Sequence, residues 1–268
     1  MSIIAPIPVR ALRATTGSPI PLTRITGVEL RKMFDTRSGF WLIASIAITS
    51  LLAAGGVILW APDGDLTYST FATAIRFPVV IILPLIAILA VTSEWSQRTG
   101  LTTFTLVPHR SRIITAKAAS SVAIAIAAMV LAFAVGAVGN LLGAAITGSA
   151  LVWDVTLTQC LYYVLGMVLS LLIGFMLGVL IRSSTGAIVA YFILTFLVPT
   201  VFGLLAESQQ WFSDLQPWVD IQFAQAGLFV FDQPLTGAEW AHITVTGVTW
   251  LLVPLLVGLR LVMRSEVK

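Results

Sequence analysis

The feature that most constrains this sequence is a set of six long apolar segments. A helix of roughly 20 residues crosses a hydrocarbon core of about 30 Å, because each residue adds 1.5 Å. Charged residues are only 10% of the chain, whereas a soluble domain carries about a quarter. The sequence therefore predicts an all-α membrane protein with six transmembrane helices, at residues 40–60, 77–93, 118–147, 157–181, 186–206 and 241–263.

The third apolar segment is longer than a bilayer requires. As a straight helix, residues 118–147 would extend over about 45 Å. We therefore expect this helix to tilt, to extend beyond the bilayer or to break. Gly136, Gly139 and Asn140 are the positions at which a break is expected.

Basic residues gather on one side of the predicted spans. Of the fifteen Lys and Arg residues, all but Arg76 precede span one, lie between spans two and three or four and five, or lie at the end of span six and beyond it. Because positively charged loops remain in the cytoplasm, both termini are predicted to be cytoplasmic, in a multi-pass protein of the cell membrane. The acidic residues of the opposite side are Asp63, Asp65, Asp154, Glu207, Asp214, Asp220, Asp232 and Glu239.

The chain divides into a cytoplasmic N-terminal segment, residues 1–39, and a six-helix transmembrane domain, residues 40–268. A helix over residues 22–37 would be amphipathic. Its apolar side would carry Leu22, Leu30, Met33 and Phe34, and its polar side Arg24, Arg31 and Asp35. This pattern favours an interfacial helix along the cytoplasmic leaflet, with a solvated basic tail as the alternative.

The segment 207–240, between spans five and six, is rich in aromatic residues. These are Trp211, Phe212, Trp218, Phe223, Phe229, Phe231 and Trp240. A fully solvated loop would not keep so many aromatic side chains in water, so the segment predicts short extracellular helices packed on the outer end of the bundle.

Small residues recur at every fourth position in span four, at Gly166, Ser170, Gly174 and Gly178. This spacing places all four on one helix face, where another helix can approach closely. This face could pack against another helix of the same chain or form a dimer interface.

Few polar side chains remain in the predicted spans. Arg76, at the outer end of span two, could line an outer vestibule, reach the lipid head groups or pair with Asp63 or Asp65. Asn140 and Gln159 are candidates for a substrate path or for interhelical hydrogen bonds. An interior with so little charge suits an amphipathic or apolar substrate better than a bare ion.

Several kinds of chemistry do not fit the sequence. None of the three lysines follows a glycine, so the chain has no Gly-Lys-Ser/Thr phosphate loop, and nucleotide-driven work requires a partner. Ser149 and His242 would be needed for an intramembrane hydrolase, but both are predicted at outer ends of spans. Two distant histidines and one cysteine lack metal-ligand spacing. No basic patch interleaved with aromatic residues indicates nucleic-acid binding.

A polar and mostly basic segment separates spans two and three. Glu94 and Arg98 have the i, i+4 spacing that supports a helix, Pro108 ends it, and Ser111 can cap the next helix. The segment therefore predicts a short cytoplasmic helix that could dock a soluble partner, or else a plain connecting loop.

This segment resembles the one between spans two and three of type-2 ABC exporter permeases. The matching residues, in order, are Glu94, Thr99, Leu106, Pro108, Arg112 and Lys117. Glu29-Leu30-Arg31-Lys32 and Thr36-Arg37-Ser38 before span one agree with the family, as do the six spans and the long outer segment. One position departs from the family, because Arg98 stands where a glycine usually precedes Thr99.

The resemblance implies a permease subunit that is not itself an enzyme. It would pair with a second permease copy or homologue and with two P-loop ATPase subunits, which would bind ATP and Mg. The segment 94–110 would be the coupling helix, held by Glu94 and Arg98. Thr99, Leu106 and Pro108 would shape its docking face, and Arg112 and Lys117 would anchor it to the partner or to membrane lipids. The alternative is a non-enzymatic scaffold or assembly factor that recruits a cytoplasmic partner through the same segment.

Overall fold

The computed structural model describes residues 21–96, 110–231 and 234–264, without the side chains of Ser38, Asp63, Glu94, Trp95, Ser96 and Arg110. These residues are almost entirely helical, and their only β-type pairing is an isolated bridge between Thr67 and Val152. The helices are α1 Leu22–Asp35, α2 Arg37–Trp60, α3 Tyr68–Ser96, α4 Arg110–Thr147, α5 Leu157–Ile181, α6 Ser184–Phe192, α7 Val198–Ser208, α8 Gln210–Val219, α9 Ile221–Ala226, α10 Gly237–Gly247 and α11 Val253–Arg264.

The structure confirms six helices that are long and apolar enough to cross a membrane. The first four are α2, α3, α4 and α5. The fifth joins α6 to α7 through a π-helical turn at Ile193–Leu197, and the sixth joins α10 to α11 through a second π-helical turn at Val248–Leu252. These helices are those of a multi-pass membrane protein.

Both π-helical turns lie directly before a Val-Pro pair, at Pro199 and Pro254. Proline has no N–H to donate, and its ring crowds the carbonyl four residues earlier. That earlier residue is Thr195 in one helix and Trp250 in the other, and each lies inside the π-helical turn. The wider turn thus lets two proline-containing helices continue without breaking.

Helix α3 begins at Tyr68, nine residues before the predicted start of span two. Its first turns contain Ser69, Thr70 and Thr73, which reduce the apolar content of the sequence there. The side chains of Tyr68, Phe71, Ala72 and Ile75 are nevertheless buried. They recur at the i, i+3, i+4, i+7 spacing of one helix face.

Helix α4 runs unbroken through Gly136, Gly139 and Asn140. Its 38 residues correspond to about 57 Å. Of the three expected outcomes, the break does not occur, and the helix is long enough to extend beyond a bilayer. Gly139 instead allows close packing, because a Cβ atom there would lie 2.8 Å from Cδ1 of Phe71.

The centre of the bundle is the pair α3 and α5, which run parallel to each other. A Cβ atom at Gly174 would lie 2.6 Å from the carbonyl oxygen of Pro84, and one at Gly178 would lie 3.2 Å from Cβ of Val91. Met167, Leu171 and Phe175 of α5 are buried in the same core. Close backbone approach is therefore what the small residues of α5 provide.

The bundle has two ends, which we name after the helices found there. The α1 end holds α1, the end of α3 and the start of α4. The α8 end holds the links before α3 and α5 and the start of α8. The segment predicted to pack on the outer end of the bundle in fact enters it, because the indole N–H of Trp250, within the sixth membrane helix, donates to the carbonyl of Val219 at 2.7 Å and Ile221 is buried beside Leu251. At the α1 end, the hydroxyls of Thr92 and Ser184 share a hydrogen bond of 2.7 Å.

A two-residue corner at the α1 end, Arg182 and Ser183, joins α5 to α6. Arg182 has a left-handed backbone with φ 57°, and its N–H donates to the carbonyl of Gly178 at 3.1 Å. The hydroxyl of Ser183 accepts from the N–H of Gly186 at 3.4 Å and caps the next helix.

Candidate functional site

A buried ion pair connects three helices at the α1 end. Nζ of Lys117, in α4, lies 2.6 Å from Oε2 of Glu29, in α1. The same ammonium donates to the carbonyl of Ala90, in α3, at 3.0 Å. Lys32 donates to the other carboxylate oxygen of Glu29 at 2.7 Å. Glu29 and Lys117 are only 5% and 6% exposed, so we call this group the Glu29 junction.

The electrostatics of the junction favour ionised Glu29. Burial alone would raise the pKa of its carboxyl group, but the charge of Lys117 and the hydrogen bonds from Lys117 and Lys32 outweigh it and hold the pKa below the ordinary value. Removing one partner of such a pair leaves a buried charge uncompensated, which typically costs about 3–5 kcal/mol.

Helix α1 packs on the bundle through Ile25, Glu29 and Met33, of which the amphipathic pattern had assigned only Met33 to the apolar side. Ile25 and Glu29 are buried one turn apart, with Met33 half-buried one turn further on. Leu22 and Phe34, assigned to the apolar face, are 38% and 50% exposed. The signal that was present is the Ile25–Glu29–Met33 spacing of i, i+4, i+8 on one face.

The predicted ATPase-coupling residues are only partly described. Arg98, Thr99, Leu106 and Pro108 lie outside the described residues, and Glu94 is described only as backbone at the end of α3. Arg112 is half-buried in the first turn of α4. Lys117, predicted to reach a partner or lipid head groups, instead lies in the Glu29 junction, two turns into α4.

At the α8 end, Arg76 lies against a group of aromatic rings. Its guanidinium carbon is 4.6 Å from the ring centroid of Phe229, a cation–π contact worth about 0.5–2 kcal/mol. Phe229 meets Tyr163 edge-on at 5.2 Å, and Phe231 stacks on Tyr163 at 5.3 Å. We call Phe229, Val230 and Phe231 the aromatic cap.

The aromatic cap fits the bundle because α5 leaves room for it. A Cβ atom at Gly166 would clash with the ring of Phe229. Gln159 caps the start of α5 with Thr156, and its amide N–H₂ donates to the carbonyl of Phe231. Sequence reasoning selected Gly166 and Gln159, and the structure gives both a contact with the cap.

A small cavity lies beside Arg76. It is lined by Ala72, Ile75, Arg76, Val79, Met129, Ala132, Phe133, Tyr163 and Met167. Its volume is about 10 Å³, which is room for about one water molecule. The lining is apolar except for the guanidinium and the hydroxyl of Tyr163, which already donates to the carbonyl of Ala72 at 3.0 Å. We call this space the Arg76 cavity.

Arg76 lies deeper in its helix than predicted. Because α3 begins at Tyr68, Arg76 is about two helical turns, or roughly 12 Å, from the start of the helix. Within residues 21–96, 110–231 and 234–264, Arg76 forms no ion pair; the side chain of Asp65 is exposed, and that of Asp63 is outside the described set. Its described partner is the ring of Phe229.

Asn140 does not line the Arg76 cavity. It is fully buried in α4, and its amide donates to the carbonyl of Val152 at 2.9 Å. That carbonyl also accepts from the backbone N–H of Tyr68 at 3.2 Å. Asn140 thus ties the link between α4 and α5 to the start of α3.

The same link carries an exposed carboxylate that holds α3. Asp154 accepts from the backbone N–H of Ser69 at 2.9 Å and from its hydroxyl at 2.6 Å. Partial burial acts to raise the pKa of Asp154, but the hydrogen bonds from Ser69 lower it overall.

The four small residues of α5 face neighbours in the same chain. Gly166 meets Phe229, Gly174 meets Pro84, and Gly178 meets Ile88 and Val91. Ser170, between them, is buried. Helix packing within one chain therefore accounts for the whole ladder.

Ser149 and His242 have separate surroundings. The hydroxyls of Ser149 and Thr147 lie 2.9 Å apart, and the ring of His242 packs edge-on against Trp218 at 4.4 Å. Among the residues that the structure describes, no group of three His, Cys, Asp or Glu side chains is placed to hold a metal ion.

Residues 59–260 match the model of a family described as protein of unknown function (DUF2705). The chain belongs to this family. The DUF2705 region contains the Arg76 cavity, the aromatic cap and Lys117, but it begins after α1. The Glu29 junction therefore joins the DUF2705 region to a helix outside it. No curated protein matches the chain.

Proposed function

We propose that this protein is the transmembrane permease subunit of an ATP-driven exporter of the type-2 ABC class. It moves an amphipathic or apolar substrate outward by alternating access. Two P-loop ATPase subunits bind ATP and Mg, and a second permease copy completes the transporter. In this proposal the α1 end faces the cytoplasm, α1 lies along the inner leaflet, and α8 and α9 belong to the outer half of the bundle, where the carbonyl of Val219 accepts from the indole N–H of Trp250 at 2.7 Å.

The observation that carries the proposal is the Glu29 junction. Helix α3 ends and helix α4 begins at the α1 end, where the carbonyl of Ala90 accepts a hydrogen bond from the ammonium of Lys117, and the predicted coupling segment lies between these two helices in the sequence. The junction fastens α1 to both helices through buried, charged hydrogen bonds. A force applied to that segment would therefore move α1, α3 and α4 together, as rigid-body switching requires.

The residues of the segment have distinct roles in this proposal. Glu94 and Arg98 hold the coupling helix, and Thr99, Leu106 and Pro108 form its docking face and its end. Arg112, half-buried at the start of α4, anchors the segment to the bundle. Lys117 instead holds α4 to α1 within the chain, because its ammonium is already bound to the carboxylate of Glu29.

The test is association with the P-loop ATPase subunits that co-purify with the full-length chain. Glu94→Ala and Pro108→Ala should leave the protein inserted and folded, but each should weaken ATPase association and lower ATP hydrolysis at least several-fold. Ser149→Ala, at the α8 end, is the matched control and should leave both unchanged.

Unchanged association in both Glu94→Ala and Pro108→Ala would overturn the coupling assignment. A stable complex in which ATP hydrolysis drives no transport of any amphipathic substrate into inside-out vesicles would favour the scaffold alternative instead.

A further inference from the structure

The Arg76 cavity places a cation in apolar surroundings, and the described residues use little of its hydrogen-bonding capacity. A guanidinium has five N–H donors in one plane. Its described contact is with the ring of Phe229, whose centroid lies 4.6 Å from the guanidinium carbon, and this ring offers no oxygen atom to those donors. No carboxylate of the described chain pairs with Arg76, because the ion pairs found there are confined to the α1 end. A half-buried cation in this setting favours an anionic ligand.

We propose that the Arg76 cavity binds the anionic head group of an amphipathic molecule. A carboxylate or phosphate fits the planar N–H fork of arginine, with two parallel hydrogen bonds. The hydrogen bonds among the described residues include none from Arg76, whose contact with the aromatic cap is to the ring of Phe229. The inference rests on the proposed function in that it names the class of substrate, but the binding itself requires neither ATP nor the ATPase.

The walls of the cavity suit the apolar part of such a molecule. Ile75, Val79 and Phe133 are apolar, and Met129 and Met167 have flexible, polarisable side chains that can repack around a ligand. The present volume accommodates about one water molecule. Binding therefore includes movement of the methionines or of the aromatic cap, which is held to Arg76 by the ring of Phe229 alone among the contacts described.

The experiment measures binding of dodecyl phosphate to the purified full-length chain in phosphatidylcholine nanodiscs, without ATPase. Arg76→Gln should raise the dissociation constant for dodecyl phosphate at least tenfold. Arg76→Lys keeps the charge but not the planar fork, so its dissociation constant should lie between those of the wild type and Arg76→Gln. Arg24→Gln removes an exposed arginine of α1 and should leave binding unchanged. Inorganic phosphate and dodecyltrimethylammonium should compete weakly, because each lacks one half of the recognised chemistry.

A second variant tests the apolar half separately. Ala132 is a buried small residue of the cavity wall, so Ala132→Leu fills the space without altering charge and should also weaken dodecyl phosphate binding several-fold. If Arg76→Gln fails to fold, this variant and Arg76→Lys decide the matter. Wild-type affinity in the folded Arg76 and Ala132 variants would overturn the proposal, and so would equal affinity for dodecyltrimethylammonium.

Nanodiscs that contain phosphatidylglycerol distinguish the source of the ligand. Competition with dodecyl phosphate means that an anionic lipid of the bilayer occupies the site, and retention of that lipid by wild type but not by Arg76→Gln supports the same conclusion. Absence of competition means that the amphiphile enters from water. Both outcomes support an anion site at Arg76. A failed binding test leaves ATPase docking at the α1 end untouched, so the two proposals are tested separately.

Discussion

Removing one partner of a buried ion pair destabilises a folded protein more than replacing both partners does. At the scale of single residues, this makes Lys117 and Glu29 the most sensitive positions of the α1 end, because both are almost fully buried. Lys32, by contrast, has a side chain that is 49% exposed. The two lysines bind the same carboxylate and therefore allow a matched comparison.

We predict that Lys117→Met destabilises the protein by about 3 kcal/mol or more, because the Glu29 carboxylate loses its buried counter-ion. The measurement is denaturant unfolding in detergent. Lys32→Met should cost at most about 1 kcal/mol, as exposed pairs do. The double variant Glu29→Gln with Lys117→Met should be more stable than Lys117→Met alone. If its loss in free energy of unfolding equals the sum of the losses of the two single variants, the pairing is contradicted.

The pH dependence of unfolding gives a second measure of the same pair. The pKa of Glu29 is lower in the folded chain than its ordinary value of 4.5. The unfolded chain therefore binds the proton more readily, and the stabilisation present above that value is lost as the pH falls through the folded pKa. Glu29→Gln should remove this part of the acid sensitivity, and the part due to Asp154 should remain.

At the scale of secondary structure, α3 and α5 approach each other closely at Gly174. Gly174→Ala would place a Cβ atom 2.6 Å from the backbone oxygen of Pro84, and backbone cannot move aside as a flexible side chain can. We predict a loss of about 1–3 kcal/mol in the free energy of unfolding. Gly203→Ala, in α7, is the control, since a Cβ atom there has no neighbour within 4 Å. Equal effects of the two variants would contradict the packing.

The sequence predicted the six membrane helices because hydropathy over a span-length window is a strong signal. It placed the start of α3 too late, since a window average does not register a short amphipathic stretch such as residues 68–75. That difference also moved Arg76 from the end of a helix to about two turns within it. The segment with the clearest sequence motif, from Arg98 to Pro108, lies outside the described residues, so its coupling role stays a prediction.

The Glu29 junction could not be predicted from the sequence. Lys117 and Glu29 are far apart in the chain, and their pairing depends on how α1 docks against α3 and α4. Each residue also had an ordinary explanation on its own, as a charge of a basic loop or of an amphipathic helix. Long-range contacts of this kind follow from tertiary packing, which local periodicity does not encode.

At the scale of the whole molecule, the proposal requires one orientation in the membrane. In a background with Cys160→Ser, Gln210→Cys at the α8 end should react with a membrane-impermeant maleimide added to intact cells. Asp35→Cys at the α1 end should react only after permeabilisation. Both positions are exposed in the structure, so access to the reagent is limited only by the membrane. The reverse pattern would contradict the orientation and, with it, cytoplasmic coupling.

The corner at Arg182 and Ser183 restricts how the fifth membrane helix can move. With only two residues between α5 and α6, and with Thr92 bonded to Ser184 beside them, neither helix can slide lengthwise past the other without unwinding. The motion that remains is a change in the angle between α5 and α6, with the corner at Arg182 and Ser183 fixed. A splaying of this kind would be greatest at the far tips of the two helices, near Thr156 and Ser208, and would leave the α1 end almost stationary.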